Sequence, residues 1–466
     1  MQIKHLIYTL LAGLSLSACN LLGPVDEIQP DYVLTDDNVI TDANSAEYVL
    51  NGIYQYYRQR EFASLRPAMF ILTGTLLNSD VEGSNNFANN DVRIENNAVL
   101  NYYTVLYAII NQANSLIAQL ENKNPQGLSE TRKNEILGET YFHKAFAETM
   151  LLRAFGDFWN QESAYGIVLY NEPVRDNSEA KARSTVAESY AQILSDLDKA
   201  EQAPAYTGMS YRVSKPAVKA LKARVLLCLN RYEEAARTAQ ETIDEALGSG
   251  MALESNYLDI FAQGFGSHEI LLAPYVSYPQ EQIYGSKVTD AAMRGFGTTI
   301  GKIAAELDST GEDPRYAQTY LTTEAGNLIQ KYVLNDVTTG DNNTYYLMRL
   351  AEVYLIKAEA EARNGRYEAA RAALKTVTDR AGYAENYVNT ITDSDLLLTI
   401  FRHKYLELSA ENYEEWYDMV RYSQLDGTDF VNLGYVRSMA HLNLPVPRSA
   451  LSGNNLLEQN PSYEIN

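Results

Sequence analysis

Cysteine is nearly absent from this chain: Cys19 and Cys228 are the only two in 466 residues. A disulfide-stapled fold is therefore excluded, and stability must come from a packed core, which this length and 46% apolar composition can supply. Histidine is scarce as well. His5, His143, His268, His403 and His441 stand singly, with no HExxH-like spacing, so no metal ligands are assigned. There is no GxSxG elbow, no phosphate-binding loop and no dinucleotide fingerprint, and Gly264-Phe265-Gly266 does not extend into one. No cofactor is expected. Cations are outnumbered, with 38 Lys and Arg against 60 Asp and Glu and a formal net charge of −22. Nucleic-acid binding needs clustered cations to displace counterions from phosphate, so it is excluded as a function. The acids are dispersed along helices and serve solubility.

The first apolar run, from Leu6 to Leu16 behind Lys4 and His5, is too short to span a bilayer as a helix, which takes ~20 residues. It reads as an export signal. Ser17-Ala18 before Cys19 is what lipoprotein processing requires: small residues at the cut, then a thiol that takes a diacylglyceryl group. The alternative is an ordinary secretory signal with an incidental cysteine. Residues 1–18 are thus assigned as signal, Cys19 as the lipidation site, and 19–35, with Pro24 and Pro30 and no periodicity, as a tether spanning roughly 20 Å. Several acyl chains at ~0.8 kcal/mol per buried CH2 would anchor the protein without spanning the membrane. Cys228 lies among apolar helix residues and reads as inert core.

Residues 36–466 read as one mainly helical domain. Thr185 and Glu188 form a capping-box pair ahead of the stripe Tyr190, Ile193, Leu194, Leu197. Ser214 with Pro216 opens a helix to Asn230, and a second runs from Tyr232 to Leu247 with Ala235, Ala239 and Thr242 facing in. The design returns where Leu347, Leu350, Ala351, Tyr354 and Ala358 precede Gly365, and Tyr367, Ala370, Leu374 and Val377 follow it. Residues 230–237 (NRYEEAAR) and 365–371 (GRYEAAR) match, and both resemble tetratricopeptide hairpins. The distance between them argues against a continuous solenoid. Further helices are expected over about 44–58, 98–121, 129–154 and 394–423, giving a scaffold at about 98–250 and 345–425. Segments at about 60–97 and 250–344 refuse the helical period and form the expected loop-rich ligand face.

Tyrosine is abundant, at 35 against 12 phenylalanines and 2 tryptophans. Its apolar ring and polar hydroxyl suit half-wet clefts, although Tyr190, Tyr232, Tyr354 and Tyr367 fall at helical packing positions. Paired carboxylates for glycoside hydrolysis need only proximity in space, and Asp80, Glu82 and Asp91 are the nearest set in sequence. In an Asn-rich loop such acids more often form turns. Glu411, Glu414 and Glu415 are expected to be solvated or paired with Arg402 or Arg421.

An ordered set of motifs resembles the SusD/RagB outer-membrane lipoproteins of the Bacteroidetes. They are residues 141–157 (YFHKAFAETMLLRAFGD), Arg183-Ser-Thr, 193–200 (ILSDLDKA), Glu312-Asp-Pro-Arg315, Lys331-Tyr332, 347–360 (LMRLAEVYLIKAEA), Glu407-Leu408, 416–421 (WYDMVR), 444–447 (LPVP) and 459–463 (QNPSY). Departures are the all-basic Arg402-His403-Lys404, Asn412 where the family usually has glycine, and Phe158-Trp159 after Phe-Gly-Asp. The resemblance implies a tetratricopeptide-like helical fold carrying an irregular ligand face. It implies anchoring in the outer membrane through lipid, and capture of an oligosaccharide for delivery to a SusC-like TonB-dependent transporter, without catalysis. A peptide ligand, as in RagB-like receptors, and a surface glycoside hydrolase are the alternatives. With sugar faces stacking on aromatics, the expected contacts are Asn78, Asp80, Tyr102, Tyr275, Tyr278, Tyr284, Arg294 and Phe296.

Overall fold

Local hydrogen-bonding chemistry decides where the helices begin in a computed structural model, which describes residues 39–77, 83–175, 180–275, 295–324, 326–332 and 345–463. The signal, Cys19 and the 19–35 tether lie outside the described residues. Asp42 accepts the Ser45 N–H at 2.8 Å to start α1 (Ala43–Tyr56), and α2 (Leu65–Leu72) follows it. Asn96 caps α3 (Asn97–Asn122) and Ser129 caps α4 (Glu130–Phe155). The expected box opens α5 (Val186–Ala200): the Glu188 N–H meets Thr185 Oγ1 at 3.1 Å, and the Thr185 N–H meets Glu188 Oε2 at 2.8 Å. Each such cap satisfies an orphan donor and is worth about 1 kcal/mol.

α6 (Lys215–Cys228) has Pro216 in its first turn; Ser214 stands at its N-cap position without a side-chain cap bond. It forms a hairpin with α7 (Tyr232–Gly248). After α8 (Thr298–Leu307), the matching hairpin is α9 (Leu350–Arg363) with α10 (Tyr367–Arg380). The shared motif makes the same turn twice. Asn230 and Gly365 are both left-handed, φ 59° and 71°, and the Arg231 and Arg366 N–H groups reach back five residues to Leu226 and Glu361. Capping the last carbonyls in this way closes each helix and reverses the chain.

The two hairpins are not separate, contrary to the sequence expectation. α7 packs directly on α9, so α3 to α7 and then α9 and α10 run as one continuous helical stack. The intervening chain leaves and returns at one place, because β1 (Ile270–Leu272) pairs antiparallel with β4 (Met348–Arg349), with Leu272 opposite Met348. Within the excursion lies a hairpin of β2 (Tyr320–Thr323) and β3 (Gly326–Ile329). Small residues on the facing surfaces, Ala235, Ala239, Ala358 and Ala362 among them, are all buried.

Two further expectations are corrected. The 60–97 segment is not an irregular face throughout: α2 is buried along its whole length, with Leu65, Phe70 and even Arg66 inside, and Phe62 and Phe87 are buried beside it. The helix expected over 394–423 is broken into α11 (Asp393–Leu408) and α12 (Glu414–Asp426), with Ala410 and Tyr413 at positive φ between them. Buried cations hold that break. Arg66 donates to the Glu411 carbonyl, and Lys331 Nζ donates to the carbonyls of Glu407 at 3.1 Å and Ser409 at 2.8 Å. Cys228 is buried as expected, and burial pushes its thiol pKa up, away from reactivity.

Candidate functional site

Asn78, Asp80, Tyr278, Tyr284 and Arg294 lie outside the described residues. The other three expected contacts fall in different surroundings. Tyr102 is corrected to a core residue: it sits on the apolar stripe of α3 at 0% exposure, with Phe62 5.6 Å away and its oxygen accepting from the Tyr413 hydroxyl at 2.5 Å. Burial raises its pKa, and no surface ligand can reach it.

Phe296 marks the base of both expected ligand loops. Leu76 and Phe296 form an antiparallel bridge, the Leu77 N–H donates to the Gly295 carbonyl at 2.9 Å, and the Gly297 N–H donates to the Thr75 carbonyl at 2.7 Å. Residues 77 and 295, which border the two undescribed segments 78–82 and 276–294, are therefore joined. The approach needs glycine, since a Cβ at Gly297 would meet the Gly74 carbonyl oxygen at 2.1 Å. The half-buried Phe296 ring stands edge-on to Tyr320 at 5.7 Å.

Tyr275, 43% exposed, is the last described residue before the second segment. Its ring stacks on Phe265 at 5.7 Å and lies 4.8 Å from Tyr211, and Tyr211 meets Phe265 edge-on at 5.5 Å. The backbone assembles this trio. The Ala273 N–H donates to the Ser210 carbonyl at 2.9 Å, and Ser210 Oγ donates to the Phe265 carbonyl at 3.3 Å, which ties three distant segments together two residues from each ring or closer. Arg58 lies within electrostatic reach of Tyr275. Sequence reasoning missed Tyr211 and Phe265. Their one signal is position in stretches without helical period, Phe265 between two glycines and Tyr211 three residues after Gly208.

The acidic candidates fall in different surroundings. Asp91 is exposed, and its two expected partners, Asp80 and Glu82, lie outside the described residues. Glu411, Glu414 and Glu415 are neither solvated nor paired with Arg402 or Arg421; all three are buried, because the break after α11 turns them inward. Glu411 meets Arg349 at 2.7 Å and Lys331 at 2.7 Å, and Glu414 meets Arg153 at 2.5 Å. Glu415 instead accepts from Thr75 Oγ1 and from the Ala410 N–H, at 3.4 Å each, and burial pushes its carboxyl up to about 8. Arg402 pairs instead with Glu306 at 3.0 Å, and Arg421 with Glu359 at 2.7 Å.

Around them Arg349 also holds Glu269 and Glu407, and Arg380 bridges the same two carboxylates. Burial opposes ionisation of Glu407, but Arg380, Arg349 and Arg315 outweigh it and hold its carboxyl at about 2. In Arg402-His403-Lys404 every member has a partner: His403 Nε2 lies 2.9 Å from the Tyr387 hydroxyl, and Lys404 meets Asp418 at 2.9 Å. Burial and Arg315 hold the His403 pKa well down, so it is neutral. This sealed lattice positions α9, α11 and the 409–413 turn and offers no water-accessible acid and base. Among the described residues no group of three His, Cys, Asp or Glu side chains is placed to hold a metal ion, and no helix is long and apolar enough to cross a membrane.

Two family models match the chain: one described as starch-binding, associating with outer membrane, over residues 31–227, and the SusD family over 299–463. SusD-like protein P2 of Formosa agariphila is 25% identical, covering 99% of this chain and all of that one, and SusD-like protein P38 of the same organism is 22% identical over 90% of this chain and 92% of its own length. The fold matches the crystal structure of a SusD superfamily protein from Bacteroides vulgatus at TM-score 0.77, 22% identity, 91% of this chain and 100% of that one. It also matches a laminarin-binding SusD-like protein at TM-score 0.72, 21% identity, with the same coverage. With matched segments at both ends and a helical stack shared along nine-tenths of its length, the chain belongs to the SusD/RagB family.

Proposed function

We propose that this protein is a surface-exposed lipoprotein, acylated at Cys19, that captures an oligosaccharide and passes it to a SusC-like TonB-dependent transporter without cleaving it. The Tyr211–Phe265–Tyr275 trio carries this reading. Three rings in mutual contact, one of them 43% exposed and all placed by backbone hydrogen bonds, form a rigid apolar platform of the kind that stacks on the C–H face of a sugar. The platform and the joined base at Leu77 and Gly295 border the segments that carry Asn78, Asp80, Tyr278, Tyr284 and Arg294, which supply the polar partners in this proposal. Family membership and the laminarin-binding neighbour support a glycan.

A peptide ligand is the second reading, favoured by one observation: both tryptophans are spent on packing, Trp416 buried and Trp159 against Phe158, so neither forms a sugar platform. Titrating the protein calorimetrically with oligosaccharide and peptide panels separates the two, with chromatography of the mixtures for products. Saturable heat from an oligosaccharide that Tyr275→Ala weakens, with no product, is expected. Heat from peptides alone would install the second reading, and product formation would make the protein a hydrolase. Copurification with a large barrel partner from membranes, and labelled fatty acid on Cys19, test delivery and anchoring.

A further inference from the structure

Away from the aromatic trio, α3 carries a second pair of tyrosines, Tyr103 and Tyr107, half-buried against the core, with Tyr103 edge-on to Phe155 at 5.0 Å. Tyr103 and Tyr107 lie one turn apart with ring centroids 4.8 Å from each other, and Tyr170 approaches Tyr107 edge-on at 5.9 Å from the extended strap that follows Phe-Gly-Asp. These rings, with Leu100, Val168 and Leu457, wall a cleft of about 570 Å³ closed on its far side by the helix Arg448–Gly453. That volume lies within the range of small-molecule sites, roughly 300–1,000 Å³.

The walls are stiff because side chains hold the strap as a neighbouring strand would. The Tyr107 hydroxyl donates to the Val168 carbonyl at 3.3 Å and accepts the Val168 N–H at 3.2 Å. One turn on, Asn111 does the same for Val174, at 3.2 and 2.7 Å, and Asn114 Nδ2 donates to the Tyr170 carbonyl at 2.8 Å. Across the cleft, Asn454 pairs with both the N–H and the C=O of Lys181, at 3.2 and 2.7 Å. The amides of Asn111 and Asn454 and the hydroxyl of Tyr107 are thus committed to backbone. A sugar entering here would bury hydroxyls opposite these committed groups, with the hydroxyls of Thr104 and Ser449 the other side-chain O–H partners on the lining. A flat hydrocarbon ring strands none.

Cations mark the opening. Arg175 lines the cleft and is exposed, and the exposed Lys181 holds its Nζ 5.4 Å from the Tyr170 ring centroid. Two cations beside an aromatic cleft stand out on a chain of net charge −22. We infer that this cleft is a second ligand site, separate from the aromatic trio, that takes an aromatic carboxylate: the ring against the wall of Tyr103, Tyr107 and Tyr170, the carboxylate at Arg175 and Lys181.

The test is a ligand-observed NMR titration of the full chain with 3-phenylpropionate and with its neutral analogue 3-phenyl-1-propanol. Saturable binding of the acid is expected with Kd on the order of 0.1–1 mM, and about tenfold weaker binding of the alcohol. Ala108→Trp, which fills the cleft, should abolish binding. Arg175→Gln, at an exposed position, should weaken the acid about tenfold and leave the alcohol unchanged. Thermal unfolding by circular dichroism identifies any variant that misfolds, and Arg175→Gln then carries the test alone. No saturable binding of the acid, equal binding of acid and alcohol, or an Arg175→Gln protein that binds the acid like the parent would each overturn the proposal.

Discussion

Glu415 touches Thr75: the buried carboxyl oxygen accepts from the threonine hydroxyl at 3.4 Å, while the carbonyl of the same threonine accepts from Gly297 at 2.7 Å. An interior acid on α12 is thereby one residue from the joint between the two expected ligand loops. Tyr405 completes the contact, its hydroxyl 2.8 Å from Thr75 Oγ1.

Burial raises the Glu415 carboxyl from its ordinary value of 4.5 to about 8, with Lys331 opposing and Glu414 adding to the shift. The folded protein therefore keeps a proton that the unfolded chain gives up. This contribution to stability is complete below about pH 4.5 and is lost as pH rises toward 8 and beyond. Glu415→Gln should unfold at higher denaturant than the parent at pH 8, by on the order of a few kcal/mol, with the difference shrinking toward pH 5. Urea unfolding of both proteins at the two pH values checks it; a difference independent of pH would refute the assignment.

Arg349 is surrounded by Glu269, Glu407 and Glu411, all buried. Arg349→Met leaves three carboxylates with less positive charge than they need, and a loss of about 3–5 kcal/mol is expected. Double replacement with Glu411→Gln should recover part of it. Chemical denaturation of the two variants decides between a balanced network and a dispensable one.

Gly365 has open space where a Cβ would point, so Gly365→Ala isolates the backbone cost of φ 71°. About 1 kcal/mol of destabilisation is expected, and Asn230→Gly at the equivalent turn should be neutral or slightly stabilising. Equal melting temperatures for parent and Gly365→Ala would contradict the left-handed turn.

Tyr275 and Tyr102 should part company in a binding assay. Tyr275→Ala removes the exposed ring of the trio and should weaken the captured oligosaccharide about tenfold with little change in stability. Tyr102→Phe strands the Tyr413 hydroxyl in the core and should cost about 1 kcal/mol of stability at unchanged affinity. Measuring both properties on both variants tests the placement.

The helices were legible because their signals are local. A capping box at Thr185 and Glu188 and the repeated Arg-Tyr-Glu turn depend on neighbours within a few residues, and the structure forms each of them. The ligand face was read less well for the same reason. Residues 60–72 looked irregular in sequence yet form short helices inside the core, because Phe62, Leu65 and Phe70 find distant partners there. Tyr102 was misjudged as a contact from its place beside an Asn-rich stretch, when its position on the α3 stripe assigns it to the core.

From its residues alone the chain disclosed its helical class, its turns and its family, since periodicity, caps and ordered motifs are written along the backbone. Tertiary structure alone decided that two separated hairpins stack directly, that Glu411, Glu414 and Glu415 turn inward, and that Tyr211, Phe265 and Tyr275 meet. Those outcomes depend on desolvation and on contacts between residues tens to hundreds of positions apart, and no local pattern encodes which distant cation or ring will be waiting.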